Sequence, residues 1–288
     1  MGLPMQKFTT RQYMVNNDFE FFHYKDEPTL EIDYHNHDFY EIYFSISDKV
    51  NYIIEGKAYN LKPGDILLIS NKELHRSIPD PGNLYERVVI WVNPDFAKRY
   101  STDATNLAQC FDSTSIKKNN LLRPNPNMLS QLRNILTRLG SACTDKVYGS
   151  DILRSIYLVE LLTYLNIAYF DVYRENVQED IVYNQKVNDM IHYINDHLGE
   201  DLSLEALSRK FFTSKYHLLR EFKKYTGCTP HNYALRKRLI YAREQLKAGN
   251  KISDICQSCG FGDYSNFSRS FQKIYRITPK QFRETIQQ

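Results

Sequence analysis

Apolar and polar positions change their spacing along the chain, and the changes divide it into parts. From about Phe8 to Val92, short runs of β-branched and aromatic residues alternate with turn signals such as Pro63-Gly64-Asp65, which is typical of strands. The clearest runs are residues 40–46, 51–54, 65–70 and 87–92. Short strands at close spacing predict an antiparallel sandwich or barrel.

Beyond about Asn127 the apolar residues recur at helical spacing. One face of a first helix carries Met128, Leu132, Ile135, Leu136 and Leu139. A second helix, from about Ser150, has two apolar stripes, which indicates burial on more than one side. The polar run 173–180 predicts a linker, and helices with short turns follow it. We therefore predict a multidomain α+β protein with an antiparallel β-barrel over 1–115, a helical connector over 120–175 and an all-α domain over 181–288.

The all-α part contains an internal repeat. A shift of 49 residues places 205–230 over 254–279, with identities that include Phe212/Phe261, Arg220/Arg269 and Phe222/Phe271. Each copy has the pattern helix, tight turn, helix, and Ser214 and Asp263 are suited to cap the helix after the turn. Two copies of one unit predict a double helix-turn-helix domain.

The charge of this part differs from that of the rest. Residues 181–288 hold 18 Lys and Arg against 10 Asp and Glu, a net charge of +8, whereas residues 1–180 have a net charge of −5. Overall, 42% of the residues are hydrophobic and 25% are charged, as in ordinary globular proteins. The asymmetry indicates that only the C-terminal part meets a polyanion.

The C-terminal part resembles the DNA-binding domain of the AraC/XylS family of transcription regulators. The resemblance covers about 100 residues and is carried by Leu204-Glu-Ala-Leu-Ser, Ser214-Lys-Tyr-His-Leu-Leu-Arg-Glu-Phe, Ile252-Ser-Asp-Ile-Cys-Gln-Ser-Cys-Gly-Phe and Thr278-Pro-Lys-Gln-Phe-Arg. It implies two helices that enter successive major-groove segments of double-stranded DNA, where outward residues contact base edges. The expected contact residues are Lys215, Tyr216, Leu219, Arg220 and Lys223 in the first helix and Tyr264, Ser265, Asn266 and Arg269 in the second.

A second constellation lies in the N-terminal part. The segment His35-Asn-His37-Asp-Phe-Tyr-Glu41, followed by His75, resembles the motifs of a cupin barrel, in which these positions supply three imidazoles and a carboxylate to a metal. His35, His37, Glu41 and His75 are therefore candidate metal ligands. In the resembled regulators the barrel more often binds a small effector, usually a sugar, without metal. We accordingly expect an effector site at His35, His37, Glu41, Tyr43, His75 and Trp91, with no metal and no cofactor.

These observations together favour a cytoplasmic transcription regulator, an activator without enzymatic activity. It would respond to a small effector, form a homodimer through residues 120–170 and work with RNA polymerase. Two other interpretations stay open: a metal-binding cupin enzyme fused to a DNA-binding domain, and a thiol or metal sensor. The sensor would use Cys256 and Cys259, although a Cys-x-x-Cys inside a predicted helix favours packing. No segment reaches the roughly 20 apolar residues of a membrane span, since the best, 161–170, has only ten.

Overall fold

The computed structural model describes residues 5–27, 33–112, 119–145, 147–175 and 181–286. By its internal contacts the chain divides into two compact units. The first comprises Met1–Ile54 and Ala58–Val182, and the second comprises Glu55–Lys57 and Tyr183–Gln288.

The strands of the first unit form two antiparallel sheets. In chain order they are β1 (Phe19–Asp26), β2 (Tyr40–Ser45), β3 (Val50–Ile54), β4 (Lys57–Leu61), β5 (Ile66–Ile69), β6 (His75–Pro79), β7 (Tyr85–Val92), β8 (Leu121–Leu122) and β9 (Ile181–Val182). One sheet has the order β1-β7-β2-β5-β8 and the other β6-β3-β4-β9. The antiparallel, sheet-rich N-terminal part is confirmed, but the described strands make two sheets instead of the closed barrel that we expected.

Alternation along the strands explains how the first unit builds its layers, because successive side chains point to opposite faces. On the five-stranded sheet, Ile42, Phe44, Leu68 and Ile90 share a core cluster with the helices. The residues between them face the other way and share a cluster with the four-stranded sheet, as Tyr43 does with Tyr52. Burial on both faces is why runs such as Ile66–Ile69 are apolar at every position.

The helices of the first unit cover the outer face of the five-stranded sheet. They are α1 (Pro94–Tyr100), α2 (Pro126–Thr144) and α3 (Ser150–Glu175). Leu132 and Leu139 of α2, with Leu158 and Leu165 of α3, lie in the same core cluster as the strands. By contacts, the helices expected as a separate connector thus belong to the sheet unit. The backbone of α3 also continues to Glu175, into the run predicted as a linker, whose residues 176–180 lie outside the described residues.

Part of α3 contradicts the expectation about membrane spans. The stretch Ser150–Asp171 is long and apolar enough to cross a membrane by length and composition, although it includes charged residues such as Glu160, which ends the shorter uncharged run 161–170 that we counted. A core helix passes the same test, and Leu158, Leu161, Leu162 and Leu165 of this stretch are fully buried against the sheet. The apolar character of α3 is therefore partly explained by its place in the core.

Within the second unit, residues 183–286 form helices joined by short connections. Its helices are α4 (Gln185–Asp196), α5 (Leu204–Lys210), α6 (Lys215–Thr226), α7 (Pro230–Lys247), α8 (Ile252–Ser258), α9 (Tyr264–Tyr275) and α10 (Pro279–Ile286). A capping box starts α10, since the Thr278 amide donates to Gln281 Oε1 at 2.9 Å and the Gln281 amide donates to Thr278 Oγ1 at 3.3 Å.

Candidate functional site

A cavity of about 380 Å³ lies in the first unit. Strands of both sheets line it, together with Phe8, Thr9, Arg11 and Gln12 of the N-terminal segment. Four of the six residues predicted to bind an effector are in its wall, namely His35, Glu41, Tyr43 and Trp91. The other two, His37 and His75, are buried residues outside the lining described for the cavity.

Glu41 is the centre of a hydrogen-bond network in this wall. The Tyr52 hydroxyl donates to Glu41 Oε1 at 3.0 Å, and Trp91 Nε1 donates to Oε2 at 3.1 Å. Burial opposes ionisation of Glu41, but contact with His37 and the other imidazoles lowers its pKa to about 2. The carboxylate is therefore ionised at neutral pH and joins β2 to β3 and β7.

The three histidines of the predicted site come together beside Glu41. His35 and His75 exchange backbone hydrogen bonds of 3.1 and 2.9 Å, which places their ring centroids 4.4 Å apart. His37 lies in the loop before β2, with its ring stacked on Phe39 and 4.9 Å from the ring of His75. One ring nitrogen from each histidine lies within 4.8 Å of the other two.

Backbone carbonyls fix the tautomer of each ring. Nδ1 lies 2.8 Å from the Asp33 carbonyl oxygen in His35, 2.8 Å from that of Phe39 in His37, and 3.0 Å from that of Glu73 in His75. Because a carbonyl only accepts, each Nδ1 must donate, and Nε2 of a neutral ring keeps a lone pair.

Burial keeps two of the rings neutral. It lowers the pKa of His35 to about 3 and that of His75 to about 4, with a further lowering from the neighbouring histidines. Neutral imidazoles whose Nδ1 is hydrogen-bonded fit a metal ion, and their lone pairs also fit hydroxyl donors.

Three arginines of the cavity wall were not identified from the sequence. Arg11 pairs with Glu20 at 2.7 Å, and Arg87 pairs with Asp26 at 2.6 Å. Arg76 also lines the cavity. Arg87 shares the face of Val89 and Trp91 on β7, so strand alternation was a signal that could have found it.

The first predicted reading helix, α6, has one buried and one exposed face. Leu218 and Phe222 are fully buried, whereas Tyr216 is 75% exposed and Arg220, Lys215 and Lys223 are exposed. The predicted cap is confirmed, because the Ser214 side chain accepts from the His217 amide. Leu219 is half-buried and thus less exposed than we expected for an outward residue.

Exposed cations on α6 have nearby acidic partners. Lys215 Nζ pairs with Glu205 of α5, and Arg220 lies 3.4 Å from Glu221. Both pairs are at the surface, where such contacts contribute little to stability and exchange readily for other anions.

The second predicted reading helix, α9, repeats this arrangement. Phe267 and Phe271 are fully buried, while Tyr264, Ser265, Asn266 and Arg269 are all exposed. The Asp263 side chain caps the helix by accepting from the Asn266 amide. The sequence repeat is therefore also a repeat of buried and exposed faces.

The turns of the two units match each other at one sequence separation, and the helices that follow the turns match at another. The Phe211 amide bonds to the Leu207 carbonyl just as the Cys259 amide bonds to that of Ile255, a separation of 48 residues. The caps Ser214 and Asp263 are 49 residues apart. The second turn thus contains one more residue.

Backbone conformation shows which positions match. Phe212 has φ +49° and Gly260 has φ +69°, so both are left-handed. The pairing of Phe212 with Phe261 in the sequence alignment is therefore wrong within the turn. The Thr213 and Phe261 amides also match at 48 residues, since they bond to the Ser208 and Cys256 carbonyls, so Gly262 is the extra residue before the cap.

The Cys-x-x-Cys pair lies in the core of the second unit. Cys256 and Cys259 are buried in a cluster that includes Phe267 and Phe271. Burial raises the pKa of both thiols, that of Cys259 to about 11. Both sulfurs are thus thiols at neutral pH, as packing requires.

Comparisons with known proteins agree with both halves of this description. Residues 20–162 match a family model described as AraC-like ligand binding domain, and residues 207–285 match one described as Helix-turn-helix domain. The HTH-type transcriptional activator RhaS of Salmonella typhimurium is 27% identical over 259 residues, which are 89% of each chain. The same activator from Salmonella newport matches equally.

Two solved structures are also similar. ToxT from Vibrio cholerae with a bound unsaturated fatty acid is 15% identical over 93% of this chain and 95% of its own, with a TM-score of 0.37. The C-terminal domain of AraT, a response regulator from Geobacillus stearothermophilus, is 27% identical over 35% of this chain and 86% of its own, with a TM-score of 0.35. The two family models together match most of the chain, and the activator is similar over both units. The chain therefore belongs to the AraC family, as a DNA-binding transcription regulator with an AraC-like ligand-binding domain.

Proposed function

We propose that this regulator is a cytoplasmic activator that responds to an uncharged, hydroxyl-bearing small molecule, such as a sugar, bound in the cavity of the first unit. The observation that carries the proposal is the wall of this cavity, where the aromatic side chains of Tyr43, Tyr52 and Trp91 surround the polar groups of His35 and Glu41. Aromatic faces with a few convergent polar groups are typical of sites for small polar ligands.

The charges around the cavity support an uncharged effector. The guanidinium groups of Arg11 and Arg87 are each paired with a carboxylate, at 2.7 and 2.6 Å. The remaining charges of the lining are those of Arg76 and Glu41, which balance. Binding of a net charge would disturb this balance, whereas hydroxyl groups can accept from arginine and donate to carboxylate or imidazole.

A thermal-shift screen of the full chain against sugars and polyols tests the effector. A ligand at 100 times its Kd stabilises its binding unit by about 2.7 kcal/mol. Tyr43→Phe removes a hydroxyl from the cavity wall and should weaken binding. The matched control is Tyr40→Phe on the same strand, because Tyr40 faces the helix side and stacks on Phe111.

The ligand recovered after incubation distinguishes a sensor from an enzyme. We expect mass spectrometry to find it unchanged. Conversion of the bound molecule to a product would replace this proposal with the interpretation as a cupin enzyme.

The exposed faces of α6 and α9 are proposed to read DNA. Lys215, Tyr216, Leu219, Arg220 and Lys223 lie on or beside the exposed face of the first helix, and Tyr264, Ser265, Asn266 and Arg269 are exposed at the start of the second. Each monomer then covers two successive major-groove segments, or roughly 20 base pairs. We expect α6 to contribute more, because it carries more cations and so neutralises more phosphates.

Binding selection on randomised DNA tests the roles within α6. Leu219→Gln should shift preference away from thymine at one position with little change in salt dependence, if the Leu219 side chain contacts a thymine methyl. A lower melting temperature with unchanged base preference would instead assign the half-buried Leu219 to packing.

A homodimer is proposed to form through α3. Its exposed side carries Ile152, Ile156, Ile167 and Phe170 at helical spacing, between 45% and 62% exposed. Exposed apolar residues on one side of a helix, here one pair near each end of α3, support an interaction surface. The dimer would present its DNA-binding units to two half-sites and place the activator next to RNA polymerase.

Sedimentation at micromolar concentration tests this surface. Ile156→Glu should convert a dimer into a monomer, whereas Tyr148→Glu, at a fully exposed aromatic residue before α3, should not. A wild-type monomer both with and without effector would exclude the proposed dimer.

A further inference from the structure

Phe212 combines an exposed ring with a strained backbone. The residue is 97% exposed in the turn between α5 and α6, and its φ of +49° is left-handed. A positive φ is an outlier for a bulky residue. Gly260 occupies the matching position of the second turn at φ +69°, so a residue without this strain fits such a turn. The Phe212 ring buries almost nothing in return for the strain, which indicates a role in binding to another molecule.

The turn holds Phe212 in a fixed position. The Thr213 amide donates to the Ser208 carbonyl at 3.1 Å, and the Ser208 hydroxyl donates to the Thr213 carbonyl at 2.5 Å. The Thr213 hydroxyl donates to the Phe211 carbonyl at 3.0 Å. These hydrogen bonds constrain the backbone on both sides of Phe212. A side chain on a constrained backbone loses less freedom when it binds, so its contact contributes more to affinity.

The charges around the turn complement DNA. Arg209, Lys210 and Lys215 are all exposed and lie within three residues of Phe212 along the chain. Glu205 neutralises only Lys215, by an ion pair at the surface. DNA presents phosphates to such cations, and it presents the methyl groups of thymine in the major groove between them. An apolar ring among cations therefore fits the partner that this family of regulators binds.

We infer that Phe212 contacts DNA beside α6, with its ring against the methyl group of one thymine at the edge of the major groove. The inference rests on the proposed role of α6 in reading DNA. Phe212 is two residues before the cap Ser214, so their Cα atoms are at most about 7 Å apart. Residues at the start of a recognition helix contact base edges, and phenylalanine is among the residues that contact thymine methyl groups.

The contact would make the two helix-turn-helix units unequal at their turns. Gly260 has no side chain at the matching position of the second unit, so only the DNA segment read by the first unit would gain this thymine preference. The preference would lie beside the bases that α6 itself contacts. We therefore expect it at a different position from the thymine proposed for Leu219.

A cycle of changes in the protein and in the DNA tests the inference. The full chain selects a duplex from randomised DNA, and each thymine of this duplex is then replaced singly by deoxyuridine, which lacks only the methyl group. Fluorescence anisotropy gives the Kd for each duplex. A buried group of this size contributes about 0.8 kcal/mol, so uracil at the contacted position should weaken binding by the wild type about fourfold.

Variants of Phe212 assign that position. Phe212→Ala should weaken binding to the thymine duplex at least about fourfold, and uracil at the contacted position should then cause no further loss. The salt dependence of the Kd should stay the same, because no phosphate contact is removed. Phe212→Gly should behave alike although it relieves the backbone strain, which separates loss of the ring from loss of stability. The matched control is Tyr148→Ala, at a fully exposed aromatic residue of the first unit, which should leave the Kd unchanged.

Two results would overturn the inference. The first is an unchanged Kd for both Phe212→Ala and Phe212→Gly. The second is weaker binding by both variants that keep the wild-type response to uracil at every position, which would assign the ring to deoxyribose. Arg220→Ala in the same assay distinguishes failure of this inference from failure of the proposed function. If Arg220→Ala binds less tightly while the Phe212 variants bind as the wild type does, only the contact of Phe212 is rejected; if Arg220→Ala also binds as the wild type does, α6 does not read DNA.

Discussion

Phe212→Gly should stabilise the second unit by about 0.5–1 kcal/mol. Phe212 has φ +49° in the turn between α5 and α6, a conformation that costs a residue with a side chain about 1–2 kcal/mol. Glycine relieves this cost but loses about 0.5–1 kcal/mol through the greater freedom of the unfolded chain. The ring contributes no compensating burial, because Phe212 is 97% exposed.

The second turn provides the opposite change. Gly260 occupies the matching left-handed position with φ +69°, and a Cβ there would lie 2.7 Å from the Leu198 carbonyl oxygen and 2.8 Å from Arg238 Nη2. Arg238 Nε donates to that same carbonyl at 2.8 Å. Gly260→Ala should therefore destabilise the unit by at least about 1 kcal/mol, from the strained backbone and the displaced contact together.

Urea unfolding followed by far-ultraviolet circular dichroism measures both changes. Trp91 is the only tryptophan and lies in the first unit, so its fluorescence transition serves as an internal control that should not move. Phe212→Ala keeps the strain while it removes the ring, and we expect it to bring no gain. If Phe212→Ala stabilised as much as Phe212→Gly, or if Phe212→Gly destabilised, backbone strain would not be the cause.

Three further predictions concern the two functional regions. Glu41→Gln should destabilise the first unit by about 1–3 kcal/mol in urea unfolding, because it replaces the charge-assisted hydrogen bonds from Tyr52 and Trp91 by weaker neutral contacts and turns one oxygen acceptor into a donor. At pH 8, Cys256 and Cys259 should react with thiol reagents far more slowly in the native protein than in urea. The native reaction should become faster as the pH approaches 11, because burial raises the pKa of Cys259 to about 11 and also raises that of Cys256. Rapid labelling of either cysteine in the native protein would support a thiol sensor. Arg220→Ala should weaken DNA binding by about 1–3 kcal/mol and relax base preference at one position, and a larger loss for Arg269→Ala would reverse the ranking of α6 and α9.

Local patterns were sufficient to predict much of this protein. Alternation along the run 40–46 puts residues 41 and 43 on one face, and Glu41 and Tyr43 both line the cavity. The repeat matched Phe222 with Phe271 in equivalent helices, and both are fully buried. Such predictions succeed because period and burial are set by the backbone geometry of a single element.

Features that depend on residues distant in the sequence were harder to predict from the sequence. β1 lacks a clear apolar alternation because it carries Glu20. That carboxylate is buried in a pairing with Arg11 and accepts hydrogen bonds from the Val15 and Asn16 amides, all from residues outside the strand. His37 reaches the cluster from a loop, to which strand alternation does not apply. The extra residue of the second turn was not recognised from the sequence, because the identity of Phe212 and Phe261 favoured an alignment without an insertion. The backbone conformation instead matches Phe212 with Gly260.

The Tyr52–Glu41–Trp91 network has a consequence for how effector specificity can change. The Glu41 carboxylate both lines the cavity proposed to hold the effector and links the two sheets through β2, β3 and β7. A substitution at Glu41 would alter binding of the proposed effector and also destabilise the first unit. Most variants at this position would therefore lose stability whatever they gain in specificity. Arg76 lies at another part of the cavity wall and is not a member of the Tyr52–Glu41–Trp91 network. Redesign for a new inducer should therefore begin around Arg76 and the N-terminal segment, and selected variants should keep the carboxylate at position 41.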